Sequence, residues 1–228
     1  MDHVEQTIAT YDKIAAAYHL TSTDENRAWL EDSMREFFSR LPGRVVLVAG
    51  CGEGRDSRFL RDLGARVVSL DFSEGMLTVA RAADPGGAYW QLDLRNARSI
   101  DQTFDGIWAC ACLYHLTKAE FRACVADFQR LLNPEGVLFL NLKLGVGEGF
   151  IDVPRDGYPG GEAAREKLAG SRYYAFYGRE ELSDYFSGFA VEKERRNHLK
   201  EGEGAMEFWL RNHGGQDGAS RPELPPMR

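Results

Sequence analysis

Short apolar strands alternate with amphipathic helices through the middle of the sequence, and this alternation constrains the fold more than any other feature. The first strand is predicted over residues 44–49, where five apolar residues follow Arg44 without interruption. Further strands are predicted over 65–70, 88–92, 104–110 and 137–142, and helices over 55–63, 74–83 and 118–132. Such repeats form parallel βαβ units, so we expect an open, doubly wound α/β sheet with helices on both faces.

The two ends of the chain differ from this central part. Apolar residues recur at three-to-four spacing before residue 42, which predicts two N-terminal helices. After the fifth strand, residues 145–161 are rich in Gly, Asp and Pro and predict a long loop, and an aromatic run follows at 173–177. A helix near 180–186 and strands over 189–196 and 205–211 are then predicted. We therefore expect a helical lid over 1–42, an α/β domain over 43–211 and a disordered tail over 212–228.

Charge and composition narrow the class of protein. The 228 residues contain 28 basic and 35 acidic side chains, giving a net charge of -7, and this balance argues against a nucleic-acid partner. No apolar stretch reaches the roughly 20 residues that span a bilayer, and the first residues do not have the pattern of a signal peptide. The four cysteines form no metal-binding pattern, so we expect reduced thiols, no metal and a cytoplasmic location. A small molecule is the expected partner, and the oligomeric state stays open.

A glycine-rich turn lies between the first predicted strand and the helix that follows it. The turn contains Gly50, Cys51, Gly52 and Gly54. Glycine lets the backbone turn sharply and approach a ligand closely, and the free amides of the helix N-terminus favour polar or anionic groups. Many nucleotide-binding folds use such a turn, so this feature alone predicts a ligand site without naming the ligand.

Two acids strengthen the prediction of a nucleoside site. Asp71 ends the second predicted strand, about 20 residues beyond the glycine turn, at the spacing expected for a carboxylate that binds ribose hydroxyls. Asp93 ends the third strand, where it can accept a hydrogen bond from the amino group of a purine. Either acid by itself can be explained as a helix cap, but acids at the carboxyl ends of two successive parallel strands favour a ligand site.

Five segments in a fixed order resemble the class I S-adenosylmethionine (AdoMet)-dependent methyltransferases. The matching segments are 48–56, 70–77, 91–94, 104–110 and 131–138. The resemblance covers about residues 1–211 and implies a Rossmann-like, doubly wound sheet of seven strands with AdoMet as the cofactor. It also implies that Asp71 binds the ribose, that Phe72 and Met76 flank the adenine, and that Asp93 faces the adenine amino group.

The same resemblance implies a wider set of cofactor-binding residues. Cys110 lies beside the methionine arm in the family, and the N-terminal helices resemble its helical lid. Arg27 of this lid is a natural partner for the cofactor carboxylate, although a solvated arginine is the alternative. The implied set is Tyr11, Tyr18, Arg27, Gly50, Cys51, Gly52, Gly54, Asp71, Phe72, Met76, Asp93, Leu94 and Cys110.

Residues after the fourth strand and near the end of the fifth are candidates for the acceptor side. Tyr114 and His115 follow the fourth strand at the edge where ligands bind in open α/β folds, and His115 is a candidate general base. Asn141, near the end of the fifth strand, is a candidate hydrogen-bonding group. Tyr174 and Tyr177, from the aromatic run, are candidates for stacking on a cationic sulfonium. The alternatives are structural: a loop-orienting histidine, a satisfied strand end and packed tyrosines.

Val48 departs from the family pattern, which commonly has an acid two residues before the first glycine of the turn. One interpretation is that the acid was lost at this position by neutral sequence drift. The other is that loss of the carboxylate lowers the pKa of the cofactor amine, which then attacks its own γ-carbon. That reaction would release methylthioadenosine and form azetidine-2-carboxylate, as in the cyclases of this fold.

Three functions are therefore open at this point. The leading one is a small-molecule methyltransferase. The second is the AdoMet cyclase, and the third is a non-catalytic AdoMet-binding subunit, which a filled acceptor pocket would favour.

Overall fold

The computed structural model describes residues 2–21, 24–153, 167–200 and 203–213, with no account of the side chains of 21–29, 197–200 and 203. The helices in these ranges are α1 (His3–Thr21), α2 (Asp24–Ser39), α3 (Arg55–Asp62), α4 (Glu74–Ala83), α5 (Lys118–Leu131) and α6 (Leu182–Tyr185). Short 3-10 helices span Leu94–Ser99 and Leu113–His115. The strands are β1 (Val45–Ala49), β2 (Arg66–Asp71), β3 (Ala88–Gln91), β4 (Phe104–Ala109), β5 (Leu132–Leu144), β6 (Glu148–Val153), β7 (Gly170–Tyr177), β8 (Phe189–Lys200) and β9 (Glu203–Asn212).

The central sheet confirms the predicted doubly wound α/β fold. Strand β1 pairs in parallel with β2 and β4, β2 pairs in parallel with β3, and β4 pairs in parallel with β5. Strand β9 runs antiparallel to β5, and β8 runs antiparallel to β9. The order β3-β2-β1-β4-β5-β9-β8 therefore gives the seven-stranded path that the family resemblance implied.

A hairpin of β6 and β7 is added to this path. Strand β7 pairs in parallel with the last residues of β5, Lys143 with Phe176 and Leu144 with Tyr177, and β6 pairs antiparallel with β7. A loop was predicted over residues 145–161, and this prediction is wrong for Glu148–Val153, which form β6. Its residues alternate between exposed and half-buried, a weak pattern that the nearby glycines obscure. Residues 154–166 lie outside the described part.

Two core clusters lie on the two faces of the sheet, because successive side chains of a strand point in opposite directions. On β1, Val45, Leu47 and Ala49 join the cluster that packs against α5. Val46 and Val48 join the other cluster, which packs against α2. Val48 is 1% exposed and lies beside Trp108 of β4 in the parallel register, so it is a core residue.

Helix α1 is docked across the carboxyl-terminal edge of the sheet. Asp12 Oδ1 accepts hydrogen bonds from the Ser73 hydroxyl at 2.6 Å and from the Gly75 amide at 2.9 Å, at the N-terminus of α4. On the other side, the Thr10 hydroxyl donates to the Ser171 carbonyl of β7 at 2.8 Å. These bonds place one face of α1 over the ends of the parallel strands, and the role of a lid stays a prediction.

The chain end differs slightly from the expected boundary of the tail. Strand β9 continues through Asn212, which is 3% exposed and donates to the carbonyls of Gln129, Leu132 and Asn133. Residues 214–228, where the tail is predicted, lie outside the described part of the chain.

Candidate functional site

A crevice opens where the carboxyl ends of β1, β2, β3 and β4 meet helix α1. Most of the predicted cofactor-binding residues line it, namely Tyr11, Tyr18, Gly50, Cys51, Gly52, Asp71, Phe72, Met76, Asp93, Leu94 and Cys110. Gly54 lies at the N-terminus of α3, outside the lining. The side chain of Arg27 is outside the described residues, so its pairing stays a prediction. His115 is the one proposed catalytic residue among those that line the crevice.

The glycine turn has the backbone geometry that the sequence predicts. Gly50 has a φ of 65°, and a Cβ there would lie 2.3 Å from the Cβ of Cys112. Gly54 has a φ of 80°, and a Cβ there would lie 2.6 Å from the Tyr89 hydroxyl. Both positions need glycine because a left-handed φ and a close neighbour exclude larger residues. The turn thus brings the backbone of residues 50–52 to the crevice.

Asp71 connects the glycine turn to the start of α4. Its Oδ2 accepts from the Gly52 amide at 2.7 Å, and its Oδ1 accepts from the Ser73 amide at 2.9 Å. A carboxylate has about four acceptor sites, and the Phe72 amide also donates to Asp71, so capacity remains for a ligand hydroxyl. Burial raises the pKa of Asp71, while these amide bonds act in the opposite direction.

Asp93 lies at the same crevice, and an arginine neutralises its charge. Arg95 Nε donates to Asp93 Oδ2 at 2.8 Å, and the Arg95 amide donates to Oδ1 at 2.9 Å. Arg95 also pairs with Asp2 just before α1, at 2.7 Å. Through Arg95, Asp93 therefore helps to anchor the start of α1, and it also lines the crevice.

Two further carboxylates, which were not among the residues predicted from the sequence, line the crevice. Asp56, in the first turn of α3, is 8% exposed, and its Oδ2 accepts from the indole Nε1 of Trp108 at 2.9 Å. Glu53 is 3% exposed and pairs with Arg58 at 3.0 Å and with His19 of α1 at 3.2 Å. Their signal in the sequence is their position, since Glu53 lies within the glycine turn and Asp56 lies two residues after Gly54. The partner of Asp56, 52 residues further along the chain, could not be recognised there.

The indole that holds Asp56 has a fixed orientation. Trp108 is fully buried and stacks on Phe139 with ring centroids 3.8 Å apart. Trp108 also lies beside Val48, in the register of β1 with β4. The Asp56 carboxylate is therefore bonded to a neighbour of the position where Val48 replaces the acid of the family pattern. The acid of this region is therefore on α3 instead of β1.

His115 is held by two hydrogen bonds that fix its tautomer. Its Nδ1–H donates to the Tyr173 carbonyl at 2.7 Å, so Nε2 is the acceptor and receives the Tyr11 hydroxyl at 2.9 Å. Burial, with smaller contributions from Arg172 and Lys143, lowers the pKa of His115 to about 4. His115 is therefore neutral at pH 7, and its lone pair orients Tyr11 toward the crevice.

The other predicted catalytic residues lie around this pair or away from it. Tyr114 and Tyr174 stack with centroids 5.4 Å apart, next to His115. Asn141 Oδ1 accepts from the Ala111 amide at 2.6 Å and so positions the loop after β4. Tyr177 is fully buried between Phe121 and Tyr185.

Tyr177 is withdrawn from the candidate catalytic residues for a simple geometric reason. It lies three residues after Tyr174 on one strand, and an odd separation puts two side chains on opposite faces. Its face packs into the core cluster that contains α5. Tyr174 keeps its place in the candidate set.

The described residues contain neither a cluster of metal-binding side chains nor a membrane-spanning helix. Within these ranges, no group of three or more His, Cys, Asp or Glu side chains is arranged to hold a metal ion. No helix in the same ranges has the length and hydrophobicity needed to cross a membrane.

The fold and the crevice together define a class of protein, the Rossmann-like enzymes that bind a nucleoside at the carboxyl edge of the sheet. Residues 46–136 match the family model described as a methyltransferase domain. Over these residues the chain is similar to the methyltransferase domains of the class I AdoMet-dependent superfamily, in agreement with the resemblance found in the sequence.

Individual relatives agree with this assignment. The chain is 33% identical over 126 residues to the malonyl-[acyl-carrier protein] O-methyltransferase of Enterobacter lignolyticus, covering 54% of this chain and 48% of that protein. The chain thus spans about half the length of the first curated relatives it matches. The CcbJ methyltransferase of Streptomyces caelestis superposes with a TM-score of 0.68 at 19% identity, over 92% of this chain and 99% of that one.

A second solved structure contains a bound ligand. The N-methyltransferase NodS of Bradyrhizobium japonicum WM9, in complex with S-adenosyl-L-homocysteine, superposes with a TM-score of 0.65 at 15% identity, over 92% of this chain and 99% of that one. At these identities the two structures show the shared fold.

Proposed function

We propose that this chain binds AdoMet in the crevice and transfers its methyl group to a small-molecule acceptor. The observation that carries the proposal is the juxtaposition of Asp71 and Asp93, at the ends of adjacent parallel strands, beside the glycine turn. The methyltransferase relatives and the S-adenosyl-L-homocysteine complex of NodS support the same ligand.

The residues at the β2–β3 end of the crevice fit an adenosine. Asp71 keeps acceptor capacity for a ribose hydroxyl, while Phe72 and Met76 supply apolar surface beside it. Asp93 and Leu94 complete this end, where the carboxylate can accept from an exocyclic amino group. Two carboxylates, apolar surface and a glycine-lined backbone form a set of groups that suits a nucleoside.

The residues at the β1–β4 end fit an amino acid. Asp56 offers a buried carboxylate for an ammonium group, and Arg55, which also lines the crevice, offers a guanidinium for a carboxylate. An acid and a base in adjacent positions match the two charges of the methionine moiety. Asp56 is therefore assigned to the α-ammonium of the cofactor.

Methyl transfer needs positioning more than it needs a strong base. The nucleophile of the acceptor forms a bond to the methyl carbon while the carbon–sulfur bond breaks, and the sulfur keeps the electron pair. The acceptor then loses its proton to solvent. Neutral His115, with its low pKa, is poorly suited to store that proton, and its role here is to hold the Tyr11 hydroxyl at the crevice.

The Asp56 carboxylate argues against the AdoMet cyclase hypothesis. That hypothesis required an amine without a carboxylate partner, because of Val48. Asp56 supplies a buried carboxylate at that end of the crevice, and a nearby negative charge keeps an ammonium protonated and non-nucleophilic.

Two measurements test the proposed function. Calorimetry with purified protein should show binding of AdoMet and S-adenosylhomocysteine, and mass spectrometry should show S-adenosylhomocysteine formed only when an acceptor is added. Absence of binding to both nucleosides would contradict the proposal. Methylthioadenosine and a cyclic amino acid formed from AdoMet alone would establish the cyclase, and binding without turnover of any acceptor would favour the non-catalytic subunit.

A further inference from the structure

The hydroxyl group of Tyr11 has one defined hydrogen-bonding role at the crevice. His115 Nδ1 bonds to the Tyr173 carbonyl at 2.7 Å, and a carbonyl can only accept, so the proton of the neutral imidazole is on Nδ1. Nε2 therefore has a lone pair, and the Tyr11 hydroxyl donates its hydrogen to it at 2.9 Å. A hydroxyl has a single hydrogen and two lone pairs, so Tyr11 offers a ligand only an acceptor.

The Tyr11 oxygen lies where a ligand can reach it. Tyr11 of α1 and His115 after β4 both line the crevice, so the bond between them lies at its wall. The Tyr11 ring is also packed on the other side chains around it, since the His115 ring centre lies at 5.5 Å and the Arg172 guanidinium centre at 4.7 Å. The direction of the hydroxyl is thus fixed before an acceptor binds, which favours recognition.

The surroundings of this oxygen disfavour a positively charged ligand. Burial is the main reason that the pKa of His115 falls to about 4, and the charges of Arg172 and Lys143 lower it further. An amine bound beside His115 experiences the same burial and the same two charges, and both effects lower the pKa of an ammonium group. Such an amine is therefore held as the neutral base, which is its nucleophilic form.

An acceptor-only oxygen discriminates among the common nucleophiles. A carboxylate or a thiolate would meet the lone pairs of Tyr11 without a hydrogen to donate. An alcohol can donate, but it must lose that proton to become a good nucleophile, and His115 with its low pKa is a weak base. A neutral amine donates an N–H to Tyr11 and keeps a lone pair for the methyl carbon.

We propose that the methyl acceptor is a primary or secondary amine whose N–H donates to the Tyr11 oxygen. The inference rests on the proposed methyl transfer, and it names the substrate class of the same site. The nitrogen lone pair forms the bond to the methyl carbon, the carbon–sulfur bond breaks, and the sulfur keeps that electron pair. The nitrogen becomes positively charged, so its hydrogen bond to Tyr11 strengthens, and it then loses one proton to solvent. His115 is a positioning residue, because it acts through Tyr11.

The test compares acceptors that differ only in the nucleophile. The protein is incubated with AdoMet that carries a deuterated methyl group, and with methylamine, methanol, acetate or methanethiol. The same comparison is made with benzylamine, benzyl alcohol, phenylacetate and phenylmethanethiol. Mass spectrometry measures the labelled product after subtraction of the rate without protein. We expect at least one amine to be methylated faster than the alcohol, carboxylate and thiol of its scaffold, by a factor of about ten or more.

Three outcomes would go against these assignments. An alcohol, carboxylate or thiol methylated as fast as its matched amine, or faster, would overturn the assignment to an amine and leave methyl transfer intact. No methylation of either amine would also overturn it. Failure of the protein to bind AdoMet and S-adenosylhomocysteine in calorimetry would instead refute the proposed function.

Variants connect the preference to the hydrogen bonds of Tyr11. Tyr11→Phe removes the acceptor oxygen, so kcat/KM for the amine should fall about tenfold while the Kd of AdoMet stays within about twofold. His115→Leu lets the Tyr11 hydrogen turn toward the ligand, so the ratio of the amine rate to the alcohol rate should fall. His115→Gln, whose amide oxygen can accept from Tyr11, should restore most of that ratio.

Tyr185→Phe is the matched control for these variants. The Tyr185 ring also lies against an arginine, with the Arg122 guanidinium centre at 4.4 Å, and Tyr185 is not among the described residues that line the crevice. This variant should change neither the rates nor the affinities. An unchanged amine preference in both Tyr11→Phe and His115→Leu would refute the role of Tyr11. A tenfold loss of AdoMet affinity in Tyr11→Phe would assign the hydroxyl to the cofactor and overturn the proposal.

Discussion

Replacing Asp56 with asparagine tests which end of the crevice holds the amino acid of the cofactor. Asparagine keeps an oxygen that can accept from Trp108 Nε1 at 2.9 Å, so the local geometry should persist while the negative charge is lost. A hydrogen bond between charged groups contributes about 1.5–3 kcal/mol. Since about 1.4 kcal/mol is a factor of ten, Asp56→Asn should raise the Kd for AdoMet about 10- to 150-fold.

A ligand without the amino-acid moiety makes this test specific. Methylthioadenosine contains the adenosine of AdoMet and lacks the α-ammonium, so its Kd should be the same for the protein and for Asp56→Asn. Asp62→Asn, at the exposed end of the same helix, is the matched control and should leave both affinities unchanged. Isothermal calorimetry at a fixed salt concentration measures all six titrations, two ligands with each of the three proteins.

Two results would refute the reasoning. Unchanged AdoMet affinity in Asp56→Asn would mean that the α-ammonium lies elsewhere. Equal losses for AdoMet and methylthioadenosine would mean that the substitution disturbs the whole crevice, which would remove the assignment of Asp56 to one end.

The remaining predictions concern the ribose, the histidine and the core. Asp71→Asn should weaken the binding of AdoMet and of methylthioadenosine alike, by at least tenfold. The substitution places an amide donor against the Gly52 or Ser73 amide and removes an acceptor for the ribose. Unchanged affinities in calorimetry would contradict this prediction. The pKa of His115 is about 4 in the folded state and 6.5 in the unfolded state. The unfolded state therefore binds a proton first, and the folded state loses stability as the pH falls from about 6.5 to 4. The loss is about 3 kcal/mol, because each pKa unit corresponds to about 1.36 kcal/mol. His115→Asn should lack this component in urea unfolding at pH 7, 5.5 and 4, and an identical pH dependence would refute it. Val48→Asp should lower the free energy of unfolding by several kcal/mol, since it buries an unpaired charge beside Trp108; a loss under 1 kcal/mol would show that the side chain reaches water.

The elements and much of the crevice were predictable because their signals are local. The apolar runs of β1 and β2, the positive-φ glycines of the turn and the acids at the strand ends each follow from short-range patterns. Parallel strands bring their carboxyl ends to one edge, so Asp71 and Asp93 could be placed together before any coordinates. The roles assigned to these side chains stay predictions until ligands are bound.

Other features depend on contacts between distant parts of the chain. The hairpin of β6 and β7 was missed because its pattern is half-exposed and lies next to glycines. Tyr174 and Tyr177 looked equivalent in an aromatic run, and only the pleat of β7 separates the face at the acceptor side from the face in the core.

The sequence by itself predicted the doubly wound sheet and a crevice at its carboxyl edge, because the alternation of strands and helices is a local pattern and parallel strands end at one edge. The likeness to the methyltransferases came from five matching segments. The tertiary structure decided that Asp56 lies at the crevice and accepts a hydrogen bond from an indole 52 residues away. It also decided that Arg172 of β7 is buried beside Tyr11 of α1. Such pairings depend on how whole elements pack in space, and no local pattern records them.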